Sequence, residues 1–197
     1  MGLRLLVHDA VGRDALRMAW RTGAPVYRAL GRIDASYGAR TWAEALLWLG
    51  SVRTREPIDE IQYWGHGKWG CALVGDDVLD ARALQPDHAW EPLLRAIRVR
   101  LSGPDALWWF RTCETFGADA GSAFAVAWSR YFGCAVAGHT YVIGAWQSGL
   151  HLLRAGAAPD WAPSEGLAAG TPAAPIDALA STRAAPSTIH FLTGRPT

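Results

Sequence analysis

Five consecutive apolar residues, Ala106-Leu107-Trp108-Trp109-Phe110, constrain the fold of this chain more than any other stretch. The run is far too short to cross a bilayer, which takes about 20 such residues, and Gly103-Pro104 bounds it upstream. It reads as a buried strand. The chain then passes through Arg111-Thr112-Cys113-Glu114, Phe116-Gly117 and the small residues of 118–121. Phe124, Trp128 and Tyr131 follow at helical spacing until Gly133 stops the helix, and a second short run, Cys134–Gly138, begins at once. Strand, helix and strand in this order predict a right-handed crossover between parallel strands. Cys113 then falls just past the carboxyl end of a strand, where open parallel sheets hold ligands and reacting groups.

A thiol used in chemistry needs a base. The run Ile58-Asp59-Glu60-Ile61-Gln62-Tyr63-Trp64 is again strand-like and leads into Gly65-His66-Gly67. If this strand and the one before Cys113 share a parallel sheet, His66 and Cys113 emerge at one edge, placed to work as base and nucleophile.

The rest of the chain supports a single α/β domain of 197 residues. Leu3–Val7 is a first buried strand. Gly12–Thr22 is read as a helix carrying Leu16 and Trp20, and Pro25–Leu30 as a second strand. Thr41-x-x-Glu44 is a capping-box signature ahead of the stripe Trp42, Leu46, Leu49, so a helix is expected to run to about 49–52. Lys68–Leu79 is a hairpin or excursion with turns at Gly70, Gly75 and Asp76-Asp77. Asp87–Leu101 is a helix on the stripe Leu93/Leu94, Ile97, Leu101. Strand and helix thus alternate to residue 140, the signature of a doubly wound α/β sheet. Residues 155–187 are rich in Ala, Pro, Gly and Ser, with one candidate helix around Ile176–Arg183, and read as a long loop, lid or insert. Thr188–Leu192 is the last strand.

Composition narrows the function classes. Half of the residues are hydrophobic, 19% are charged and the formal net charge is +1 with no basic block. Nothing therefore points to nucleic acid or to an anionic membrane surface. The first residues, Met1-Gly2-Leu3-Arg4-Leu5-Leu6, lack the apolar core and cleavage site of a signal peptide, and three cysteines without a CxxC fit a reducing cytoplasm. GxGxxG and GxxxxGK[ST] are missing, as is Gly-x-Ser-x-Gly, so neither a nucleotide enzyme nor an α/β-hydrolase is expected, and no cofactor is called for.

His66-Gly67 after an apolar strand, followed by a Cys ending the next strand, resembles the caspase-like (clan CD) cysteine peptidases. The 47 residues from His66 to Cys113 are close to the interval of about 50 noted for caspases. Tyr63-Trp64-Gly65-His66-Gly67-Lys68-Trp69-Gly70 with its Leu73-Val74-Gly75-Asp76 excursion is similar to motifs of a bacterial caspase-like domain found in large surface proteins. So is Thr112-Cys113-Glu114-Thr115-Phe116-Gly117 with the later Val136-Ala137-Gly138-His139-Thr140. The likeness covers about 58–144. It implies a caspase-like three-layer sandwich with a mostly parallel sheet of about six strands, acting on a protein or peptide substrate, with Cys113 as nucleophile and His66 as general base and acid. The backbone N–H groups of Gly67 and Cys113 are the implied oxyanion donors. The residues around the thiol, Arg111-Thr112-Cys113-Glu114-Thr115, match neither the caspase Gln-Ala-Cys nor the metacaspase Asp-Ser-Cys pattern.

Each residue also has a structural reading. A cysteine at a strand end is also a frequent core residue, and Cys71 and Cys134 are read as core or loop thiols. His139 is either a crevice residue or a satisfied buried histidine. Trp69, Glu114 and Trp146 join His139 as candidate substrate contacts, the tryptophans otherwise serving as core and wall. Asp76, Asp77 and Glu114 are read as solvated turn charges, or as acids that would select a basic side chain. A zinc set of His66, Cys71, Cys113 and His139 has no short ligand spacing and is not adopted. The alternative to a peptidase is a catalytically inactive caspase-like binding or scaffold module.

Overall fold

The computed structural model describes residues 2–12 and 15–196. The part of the expected first helix at residues 13–14 lies outside the described residues, as does the side chain of Leu16. The elements run β1 (Leu3–Asp9), α1 (Ala15–Ala29), β2 (Ala35–Ala39), α2 (Trp42–Ser51) and β3 (Ile58–Trp64). A small meander, β4 (His66–Lys68), β5 (Cys71–Val74) and β6 (Asp77–Asp80), leads through a 3-10 turn to α3 (Glu91–Arg98). Then come β7 (Leu107–Arg111), α4 (Ala118–Phe132), β8 (Ala135–His139), β9 (Trp146–Gln147) and β10 (Leu150–Leu153). The hairpin β11 (Leu167–Thr171) and β12 (Ala174–Ala178) precedes the short β13 (Ile189–His190).

Six strands form the central sheet in the order β10-β8-β7-β3-β1-β2, all parallel except β10, which is antiparallel to β8. Alternate residues of the strands serve two layers, as the period of two requires. Leu3, Leu5 and Val7 of β1 and Trp108 and Phe110 of β7 pack with Leu46 and Leu49 of α2, Leu94 and Ile97 of α3, and Phe124 and Trp128 of α4. Leu6 of β1 and Trp64 of β3 face Ala24 and Tyr27 of α1 instead. Leu107 and Trp109 lie under Leu150, Leu152 and Ile189. The result is the expected three-layer sandwich, with three helices on one face and α1 plus the C-terminal segment on the other.

Local signals explain most boundaries. The Thr41 hydroxyl accepts from Glu44 N–H at 3.1 Å, and the Glu44 carboxylate accepts from Arg40 N–H at 2.9 Å, so the capping residues close the start of α2 as their spacing predicts. Gly133 ends α4 at φ +63°, a conformation that favours glycine.

Four expectations are corrected. Pro25–Leu30 is not a strand but the second half of α1. The helical period runs straight through Pro25, burying Ala24 and Tyr27 together with part of Trp20 while Val26 and Leu30 stay exposed. The second strand is instead Ala35–Ala39, which shows no apolar run because it is a half-exposed sheet edge. The helix expected over 87–101 is shorter, Glu91–Arg98, with Pro92 in its first turn. No helix forms at 176–183: Leu179 and Ser181 N–H donate to Gly166 and Val142 carbonyls, and Ile176 lies in β12. Finally, the last strand expected over 188–192 is only Ile189–His190, paired with β9.

Candidate active site

β3 and β7 are parallel neighbours, with Trp64 opposite Arg111. The segments that follow them, Gly65-His66 and Thr112-Cys113, therefore leave the sheet side by side at its carboxyl edge. His66 and Cys113 line one cavity of about 290 Å³. Its walls are Ala19 and Trp20 of α1, Trp64, Ile143 and Ala145 of the loop before β9, and Phe191, with Arg111 and Gln147 adding polar groups.

The two motif loops are joined by their own backbone. Gly70 N–H donates to the Thr115 carbonyl at 3.0 Å, and the Thr115 hydroxyl donates to the Cys71 carbonyl at 3.1 Å. Gly67 lies so close to this turn that a Cβ there would run into the Thr115 hydroxyl and meet the Thr112 Cβ at 2.8 Å. Glycine at 67 thus serves the packing of the histidine loop on the cysteine loop. The cysteine turn is fixed in turn by Glu114 N–H to Tyr141 carbonyl and Phe116 N–H to His139 carbonyl, both 2.9 Å. Glu114, directly after the thiol, is held at φ +43°, where a residue with a Cβ gives up about 1 kcal/mol.

The Cys113 thiol is half-buried and donates to the Ile143 carbonyl at 3.9 Å; among the described residues no hydrogen bond joins it to His66. Burial pushes its pKa up, and the charge of Glu114 adds to the shift. His66 stands edge-on to Trp20, ring centroids 5.2 Å apart. Burial lowers its pKa, helped by Arg17 and opposed by Asp9. Both shifts favour the uncharged forms, a neutral thiol and a neutral imidazole at pH 7.

The other candidate residues, Trp69, Glu114, His139 and Trp146, are not in the lining of this cavity. His139 is fully buried; its Nδ1 bonds the Ser148 carbonyl at 3.1 Å and burial lowers its pKa to about 3. Trp69 lies under the Lys68 ammonium, 4.6 Å from the ring centroid, and against Gly117. Trp146 is exposed between the lining residues Ala145 and Gln147, with Arg183 over its ring at 5.9 Å. Glu114 is not a solvated charge: it is buried, and burial raises its pKa. Asp77 is also committed, accepting from Trp42 N–H at 3.0 Å at the start of α2. Cys134 is buried, with its pKa pushed up to about 12, whereas Cys71 is half-buried. Among the described residues no group of three or more His, Cys, Asp or Glu side chains is placed to hold a metal ion.

Sequence reasoning missed Arg111, Gln147 and Phe191 in the cavity. Arg111 is the residue where the apolar run of β7 stops, and a charge closing a buried strand was the available signal. Gln147 and Phe191 gave none, because they arrive from distant segments. Comparison of the chain with protein-family models, with curated proteins and with solved structures finds no match.

Proposed function

We propose that the chain is a cysteine peptidase of caspase-like type, with Cys113 as nucleophile and His66 as general base and acid. The carrying observation is that the strand-end His and Cys line one cavity at the carboxyl edge of neighbouring parallel strands. In the reaction the imidazole takes the thiol proton as sulfur bonds to the substrate carbonyl carbon. The imidazolium then protonates the amine nitrogen as the C–N bond breaks. Water, deprotonated by the same imidazole, attacks the thioester; a carboxylic acid leaves and the thiol is restored. By family resemblance the N–H groups of Cys113 and Gly67 are the donors for the oxyanion; one such donor is worth about 3 kcal/mol.

The reading is tested with an internally quenched peptide library. Cys113→Ala and His66→Ala are each expected to abolish hydrolysis while leaving the circular dichroism spectrum unchanged, as members of one catalytic unit do. Hydrolysis that persists in pure Cys113→Ala protein would sink the assignment.

One observation favours a second reading, an inactive binding or scaffold module: the resting thiol bonds the Ile143 carbonyl rather than His66. In that case peptides would bind the wild-type protein and be recovered intact, and His66→Ala would leave Cys113 reactivity unaltered.

A further inference from the structure

A buried ion pair stands beside the histidine loop, and the reaction described above makes no use of it. β1 and β3 are parallel neighbours with His8 opposite Trp64, so the register brings Asp9 level with Gly65, one residue before His66. Asp9 closes β1, and its side chain has no exposed surface. Arg17 reaches it from α1, Nη2 to Oδ2 at 3.2 Å, and the second carboxylate oxygen accepts from Val11 N–H at 2.8 Å. One turn further along α1, the Trp20 ring meets the His66 ring edge-on. The pair is therefore anchored on β1 and α1, the two elements that also position the histidine.

The remaining neighbours of His66 offer it no carboxylate. β5 sets Leu73 opposite it, and Lys68 on its own strand lies over Trp69. Across the cavity stand Cys113 and Arg111, the latter held by Tyr27, Gln147 and Phe191. When the imidazole takes the thiol proton it becomes a cation in a half-buried place, where a nearby negative charge favours it and a positive one opposes it. Asp9 does the first and Arg17 the second. We propose that Asp9 and Arg17 are positioning residues for the reaction: Arg17 keeps His66 an uncharged base at rest, and Asp9 stabilises the imidazolium once the proton has moved. Neither residue gains or loses a bond in the step; the proton stays on the ring until the leaving amine takes it. The assignment rests on the peptidase reading for the step it serves, but the pair's hold on His66 can be measured without turnover.

The test follows the His66 ring by NMR titration in the whole chain, its signal assigned by its loss in His66→Ala. It also measures kcat and KM against pH on the best peptide from the quenched library. Asp9→Asn keeps an oxygen for the Val11 N–H and removes the charge, so the His66 titration and the acid limb of kcat should both move to lower pH. Arg17→Gln should move both to higher pH, and Arg17→Lys, which restores the charge, should return them to wild type. At pH 7 Asp9→Asn is expected to lower kcat by roughly tenfold to a hundredfold and to leave KM unchanged. Arg17 is partly exposed, so its variants keep the test open if Asp9→Asn fails to fold.

A merely structural pair would leave the His66 titration where it is, or shift it the same way whichever partner is removed. Either result would overturn the proposal, as would Arg17→Lys behaving like Arg17→Gln. Hydrolysis whose acid limb neither variant moves would overturn this inference and leave the peptidase reading standing. Opposite shifts of the His66 titration in a protein that hydrolyses no peptide would support the pair's control of His66 and sink the peptidase reading.

Discussion

At the residue scale, burial favours the neutral forms of both His66 and Cys113, and that fixes the pH dependence of the proposed reaction. Burial lowers the His66 pKa below its ordinary 6.5, so the imidazole stays an unprotonated base down into mildly acidic solution. Activity should be retained as pH falls to 6.5 and lost only as it passes through the lowered value; the acid limb of kcat/KM reports this directly. An acid limb centred above 6.5 would mean that another group controls the reaction. That these two residues would line one cavity was legible from their order and their strand-end contexts. Arg111 was not: a charged residue after an apolar run reads as the strand's exit to solvent, whereas here it is stacked on Trp109 and bonded to segments 84 and 80 residues away.

At the scale of elements, the cysteine turn is shaped by α4 pressing on it. Gly121, in the first turn and a half of α4, lies against the Phe116 carbonyl. A Cβ there would run into that carbonyl carbon and meet the Phe116 and Thr115 oxygens at 2.7 Å. Backbone cannot swing aside as a long side chain does. Gly121→Ala should therefore cost about 3 kcal/mol, read as a fall in the urea midpoint, and should slow the Cys113 chemistry by moving its turn. Elements with a local cause were readable in advance: α2 from Thr41 and Glu44, α4 from its aromatic spacing and Gly133. Those set by tertiary partners were not. Pro25 reads as a helix breaker, yet α1 continues through it because Tyr27 is bound by Arg111. The 176–183 backbone is claimed by Gly166 and Val142 before it can bond to itself.

At the scale of the whole molecule, the sheet is unevenly covered, three helices against one helix and a strap. The strap, 189–193, pairs with β9 and places Phe191 in the cavity wall, so the last strand is part of the site rather than of the sheet. The preceding segment is not the structureless loop its composition implies: Trp161 stacks on Phe116, 5.6 Å between centroids, and donates to its carbonyl. Beyond that anchor its surface is largely exposed and poor in apolar contacts. Limited proteolysis should therefore cut first within 155–187, and at Leu167–Ala178 before the Trp161 region. First cuts between residues 58 and 144 would contradict the placement of the core.

The claim on which the account turns is that His66 activates Cys113, and thiol labelling tests it without knowledge of a substrate. Iodoacetamide reacts with the thiolate, so its rate reports activation and access together. Mass spectrometry follows the three cysteines separately in native protein at neutral pH. Cys113, open to the cavity, is expected to label first, Cys71 more slowly, and Cys134, buried with its pKa near 12, not at all. In His66→Ala the Cys113 rate should fall by about a hundredfold, the low end for loss of a positioned base, with Cys71 and Cys134 unchanged. A Cys113 that is inert in the native protein, or that labels equally fast without His66, would contradict it.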